Sequence, residues 1–262
     1  MRHVFLLFAR RFVTFKKGNL ADIIYSIKML NTGKWTEKEL DGLLEEATGI
    51  ADNGERIAFL SGRFLGTEYR ESTLRGSADI AEELVVNLAA LDCFTFVDYV
   101  EAMRSSRSLA EFIERLKRVR YRKGDVAFRQ RNHFLADWRQ SNSEFVEDVT
   151  GRLGEGCAVR VQKVLNEKEG GGSWVPGIAA VGRAIEYIPS PLSEDVLSRL
   201  RTGDYAGVYS NAAGLDVSHV GVVVRDCGLF FRHASSRLMK VVDEELQAYF
   251  SDTPGMIVLR PK

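Results

Sequence analysis

Apolar residues recur at helical spacing through the first half of the chain and alternate at strand spacing near its end. Ile23, Ile24, Ile27 and Leu30 fall on one helical face, and Leu40, Leu43 and Leu44 repeat that spacing in a second helix. Thr36 followed three residues later by Glu39 is the pattern of a capping box ahead of that second helix. Gly62 to Arg70 reads as a loop entering the core, and the apolar run Leu84 to Leu91 ends at Asp92, a good N-cap. Phe96, Val97, Val100 and Met103 then share one face of a helix starting at Asp92, and Leu109 to Val119 predicts another. Residues 120–200 are mixed in character and contain the run Gly170–Gly172. The last sixty residues turn to β patterning: Asp204 to Tyr209, Val217 to Arg225 and Leu229 to Ala234, with a tight turn at Asp226-Cys227-Gly228 and a closing strand from Met256 to Leu259. Helices first and strands last predict an α+β fold.

Composition narrows the function classes. The chain has 262 residues, 36 basic and 36 acidic, so no net field points to nucleic acid or an anionic membrane surface. No run of 18 apolar residues is present, so no membrane span is expected. The short apolar run Val4 to Ala9, set between Arg2 and Arg10-Arg11, is marginal as a secretory segment, and a first helix is the plainer reading. Three scattered cysteines (Cys93, Cys157 and Cys227) do not make a disulfide scaffold, and no CxxC pair suggests a zinc ribbon.

One cysteine with separated histidines is the pattern of a thiol nucleophile. Cys93 directly follows the N-cap, where a helix dipole favours the thiolate; a small buried apolar residue on a helix is the alternative. His219 and His233 lie on consecutive strands. With the turn centred on Cys227 they are diagonal neighbours, and centred on Asp226 they face each other; either parity puts both on one sheet face. So placed, one imidazole takes the thiol proton and the second orients the first. Two unrelated strand histidines, or a zinc site made with Cys93, remain open on these residues alone.

The segments around these residues carry a resemblance. Asp92-Cys93-Phe94-Thr95-Phe96-Val97, Ser218-His219-Val220-Gly221-Val222, Phe231-Arg232-His233-Ala234-Ser235, Gly203-Asp204 and Leu65-Gly66-Thr67-Glu68-Tyr69 together resemble, in order and approximate spacing, the motifs of the NlpC/P60 cysteine peptidases. Glu68 stands where that family usually has proline. Phe134-Leu135-Ala136-Asp137-Trp138, Tyr187-Ile188-Pro189 and Gly214 to His219 are similar to one branch, the DUF1460 proteins, N-acetylmuramoyl-L-alanine amidase-like.

The resemblance spans about residues 60–260. It implies a papain-like catalytic domain over 61–262 with an inserted subdomain at about 105–200, preceded by an N-terminal helical segment, 1–60. It implies Cys93 as nucleophile, His219 as base and His233 as orienting residue, with no metal and no cofactor. Tyr69 is expected near the nucleophile as a donor or as a core-edge tyrosine. Arg131 is expected to pair a substrate carboxylate, and Trp138 to stack on a sugar or to be core. Asp137 either lines the substrate site or caps a helix, and Ser218 joins the substrate-binding set. The implied substrate is peptidoglycan or its muropeptides, cut at the N-acetylmuramoyl-L-alanine amide, with a γ-D-glutamyl-diamino-acid endopeptidase or an acyltransferase on the same fold as alternatives. A monomer is expected. The resemblance implies the cell envelope, while the N-terminal run leaves the cytoplasm open.

Overall fold

The computed structural model describes residues 29–262. Val4 to Ala9 and the helical face of Ile23, Ile24 and Ile27 lie outside them. Leu30, expected on that helix, lies in a strand instead: β1 (Met29–Asn31) pairs in parallel with β3 (Val85–Asn87). Three residues of ladder override a helical spacing that Leu30 alone carries into this stretch.

The capping box at Thr36 and Glu39 opens α1 (Glu37–Thr48), with the Thr36 side chain accepting from the Glu39 N–H. After α2 (Asn53–Gly62) the chain makes the short strands β2 (Glu68–Tyr69) and β4 (Ala90–Leu91), then α3 (Cys93–Arg104) and α4 (Leu109–Arg120). Within residues 120–200 come α5 (Leu135–Ser141), β5 (Val146–Asp148), α6 (Thr150–Leu153), the long hairpin β6 (Val159–Leu165) and β7 (Val181–Pro189), and α7 (Glu194–Arg199). The chain closes with β8 (Tyr205–Tyr209), β9 (Val217–Arg225), β10 (Leu229–Ser235), β11 (Lys240–Glu245), α8 (Leu246–Ser251) and β12 (Gly255–Pro261).

The result is mixed α and β built on one large sheet, in the order β4-β2-β11-β10-β9-β8-β12-β7-β6, with β5 also paired to β12. From β2 to β7 every neighbouring pair is antiparallel. The β9–β10 register pairs Leu229 with Arg225 and Arg232 with Val222, so the turn centres on Cys227. Continued along the strands, that register sets Gly221 opposite His233 and makes His219 its diagonal neighbour on the same face. The closing strand is not at an edge: β12 lies between β8 and β7. Helix α3 packs on this sheet through Phe96, Val97, Val100 and Met103, all buried in the main core. Residues 105–200 do not stand apart: Phe112, Leu116, Trp138, Val146 and Ile185 belong to that same core. Among the described residues no helix is long and apolar enough to cross a membrane.

Candidate active site

Cys93 is placed by its helix. Asp92 caps α3, accepting from the Thr95 N–H at 2.8 Å, while the Thr95 hydroxyl receives the Asp92 N–H at 2.9 Å. This reciprocal cap fixes where the helix starts, and hence the direction of the first side chain in it. Cys93 and Phe94 line a cavity of about 80 Å³ together with Ser218, His219, Asp216, His133 and Phe134. The backbone N–H groups of Val220, Cys93 and Phe94 turn toward the thiol and favour its ionised form. Burial, reinforced by the Asp92 carboxylate, outweighs them and pushes the thiol up to about 12. The lowering expected from the helix start alone is therefore reversed: the helix donors are there, but the partly buried thiol is poorly hydrated and sits beside the Asp92 carboxylate.

His219 and His233 meet as the parity required. Nε2 of His219 lies 2.7 Å from Nδ1 of His233, with the two rings nearly perpendicular. Gly221 makes the approach possible, because a Cβ there would sit 2.6 Å from the Phe231 ring and 2.8 Å from the His233 Cβ. Nε2 of His233 in turn lies 3.0 Å from Glu244 Oε2 on β11. Glu244 also pairs with Arg237. Nothing in the sequence pattern singled out Glu244. Its place follows from the β10–β11 register, which sets Phe231 opposite Glu244 and so brings the carboxylate to the face that carries His233.

Burial lowers both imidazoles, His219 to about 3 with help from neighbouring His233, and His233 to about 4 with help from Arg237. Both are then neutral at ordinary pH, and the proton positions follow from the partners. A carboxylate only accepts, so His233 Nε2 carries hydrogen and its Nδ1 is the acceptor. His219 must then donate from Nε2, which leaves its Nδ1 as the free basic nitrogen. Because the two histidines bond to each other, they do not aim lone pairs at a common point as ligands of one ion would. Among the described residues no three His, Cys, Asp or Glu side chains are grouped to hold a metal.

The remaining residues of interest divide. Tyr69 is buried near Cys93; burial first, then the Cys93, Glu71 and Asp92 charges, push its hydroxyl up to about 12, so it stays a donor. Tyr249, which no motif singled out, stacks its edge on His233 at 4.9 Å and also lies within the field of Cys93. Ser218 is exposed at the mouth of the cavity.

Trp138 is corrected as a substrate-binding residue, and the charges of Arg131 and Asp137 are engaged within the protein. Trp138 is fully buried, its indole N–H donating to Asp98 at 3.0 Å and its ring edge-on to Tyr205, so it offers no face to a sugar. The buried Asp98, already held by Arg120, needs a second donor, and Trp138 supplies it. Arg131 is taken by the buried carboxylate of Glu82, with Nε 3.0 Å from Oε1. Asp137 is held by Arg183 at 2.7 Å. From this stretch His133 and Phe134 reach the cavity, and His133 Nε2 donates to the Phe128 carbonyl at 2.9 Å.

An α+β protein with a cysteine-bearing helix packed on a sheet that carries two linked histidines is the class that fold and site define. The family follows from comparison: residues 59–256 match the AmiA-like family, described as N-acetylmuramoyl-L-alanine amidase-like, and the chain belongs to it. A Legionella pneumophila protein of the family-model DUF1460 shares the fold at a TM-score of 0.73 and 22% identity, over 86% of this chain and 94% of that one. An N-acetylmuramoyl-L-alanine amidase from Bacteroides uniformis is similar at a TM-score of 0.66 and 27% identity, over 80% of this chain and 99% of its own. No curated protein matches the chain.

Proposed function

We propose that the chain is a cysteine amidase that hydrolyses the amide between the muramic lactyl group and L-alanine in peptidoglycan or its fragments. The observation that carries the reading is the chain of bonds from Glu244 through His233 to His219, ending on a free imidazole nitrogen in the cavity that Cys93 lines. The helix-on-sheet arrangement of these groups supports placing the chain among the papain-like NlpC/P60 proteins. The AmiA-like family and the Bacteroides uniformis amidase support the choice of bond.

His219 Nδ1 takes the proton of Cys93 as the sulfur attacks the lactyl carbonyl carbon. The carbonyl oxygen becomes an oxyanion and accepts hydrogen bonds from backbone N–H groups beside the cysteine. The imidazolium gives its proton to the alanine nitrogen, the C–N bond breaks, and a thioester remains on Cys93. Water, deprotonated by His219, attacks that thioester; the acid leaves and the proton returns to sulfur. His233 and Glu244 never touch the substrate: they hold His219 in the tautomer that leaves Nδ1 basic.

Digestion of a disaccharide-tripeptide, followed by mass spectrometry, tests this. The expected products are the free disaccharide and a peptide beginning with L-alanine. Cys93→Ala should abolish them, whereas Cys157→Ser and Cys227→Ser, both at exposed positions, should leave the rate unchanged. A product beginning with the diamino acid would move the scissile bond and keep the nucleophile; full activity of Cys93→Ala would end the thiol mechanism.

A further inference from the structure

His133 and Phe134 line both the Cys93 cavity and an adjoining cavity of about 210 Å³. Three guanidinium groups stand on the second wall: Arg122, Arg129 and Arg131. Their charges are not equivalent. Arg131 is neutralised by Glu82, and the carboxylate on this wall, Asp137, is neutralised by Arg183. Arg122 donates to the Arg129 carbonyl, a neutral acceptor. Among the described residues neither Arg122 nor Arg129 has a carboxylate within ion-pair distance. Two uncompensated positive charges therefore face the space next to the thiol.

We infer that this second cavity is the subsite for the acidic stem peptide, with Arg122 and Arg129 receiving the free carboxylate of the residue that follows L-alanine. The inference rests on the bond assignment above and deepens it. In an N-acetylmuramoyl peptide the lactyl carboxyl is used up in the scissile amide, and the sugars carry only hydroxyl and acetamido groups. Every fixed negative charge lies on the amine side of the bond. A cationic cavity is of no use to the sugar, whereas planar guanidiniums fit a carboxylate with two parallel hydrogen bonds. The substrate is thereby oriented: the peptide runs past His133 toward Arg122 and Arg129, and the disaccharide leaves the Cys93 cavity on the other side. Trp138, buried and bonded to Asp98, plays no part in either arm.

The experiment compares N-acetylmuramoyl-L-alanyl-γ-D-glutamyl-L-lysine with its D-isoglutamine counterpart; the γ-carboxyl is in peptide linkage in both, so the two differ only in the α-carboxylate of the residue that follows L-alanine. Hydrolysis is measured with the wild-type enzyme and with Arg122→Gln/Arg129→Gln, both positions being exposed. Binding of both compounds is measured by calorimetry on Cys93→Ala protein, with and without the arginine replacements. Wild type should favour the acid by about tenfold in kcat/KM, mostly through KM, as loss of a charge-assisted pair predicts. The double variant should lose that preference, its kcat/KM on the acid falling to the level of the isoglutamine substrate. Equal losses on both substrates, or a preference that survives the double replacement, would overturn the subsite. If Cys93→Ala protein binds the acid better, and does so only with the arginines present, while wild type cleaves neither compound at the lactyl amide, the subsite stands and the bond assignment falls. If binding shows no difference between acid and amide, the subsite falls whatever the cleavage data show.

Discussion

Glu244 sets the proton inventory of the two histidines, although it is far from the reacting bond. Its Oε2, 3.0 Å from His233, can only accept, and that single fact propagates through two neutral rings to leave His219 Nδ1 unprotonated. The consequence is a graded series of losses. His219→Ala removes the base itself and should lower kcat by about 10²–10⁴-fold, the usual span for general acid–base catalysis. Glu244→Gln keeps a carbonyl oxygen able to accept from His233, and should cost less than about tenfold. Glu244→Leu offers no acceptor, frees the His233 ring to change tautomer, and should fall between the two. The measurement is kcat on the disaccharide-tripeptide for all three variants, each checked for an unchanged melting transition. Equal activity of Glu244→Leu and wild type would show that His233 holds its tautomer without the carboxylate.

At the level of elements, the site depends on buried polar contacts that also fix the helices around it. Asp98, on α3 one helical turn beyond Cys93, takes Arg120 from α4 on one oxygen and Trp138 from α5 on the other. Trp138→Phe keeps most of the ring volume but leaves the inner carboxylate oxygen without its donor. The expected cost is about 1–3 kcal/mol of stability, read from urea melts, with hydrolysis at 25 °C largely kept. Loss of activity with no loss of stability would instead assign Trp138 to the substrate. This residue also marks the limit of the sequence reading. Capping boxes, the cysteine at a helix start and the parity of the two histidines are local patterns, and Thr36, Asp92 and His219 could be placed from spacing alone. Asp137 and Trp138, in the Phe134 to Trp138 motif, and Arg131 just ahead of it sit in a stretch that reads equally well as surface or core, and only their partners Arg183, Asp98 and Glu82, all at least 40 residues away, decide between them. Glu244 was illegible for the same reason: β11 reads Lys-Val-Val-Asp-Glu-Glu, with no clear alternation, and its register against β10 is set by long-range pairing.

The whole molecule brings together groups from both ends of the described chain, and it does so by burying imidazoles that water would prefer to charge. The cost appears as a pH dependence of folding. His219 and His233 are lowered to about 3 and about 4, against about 6.5 for a histidine in an unfolded chain. Between pH 6.5 and 4 the unfolded state therefore binds two protons that the folded state refuses, and stability falls as pH falls through this window. Asp216 acts in the opposite sense. Burial raises it to about 6 despite bonds from the Ala136 and Val217 N–H groups, so the folded state keeps a proton that the unfolded chain gives up until pH drops near 4. Burial also lowers His133 and raises Asp98, a further pair of opposite sign. With that pair offsetting, two histidines against Asp216 leave a net difference of about one proton, and stability should decline by on the order of 1 kcal/mol per pH unit on acidification. Urea melts at pH 7.5, 6 and 5 measure this directly. His233→Asn removes one of the two buried imidazoles and leaves one histidine against Asp216, so its melting midpoint should be nearly level over the same range. A wild-type midpoint that does not move between pH 7.5 and 5 would mean that the histidine pair takes up its protons without unfolding, and the neutral relay from Glu244 to His219 would then be wrong.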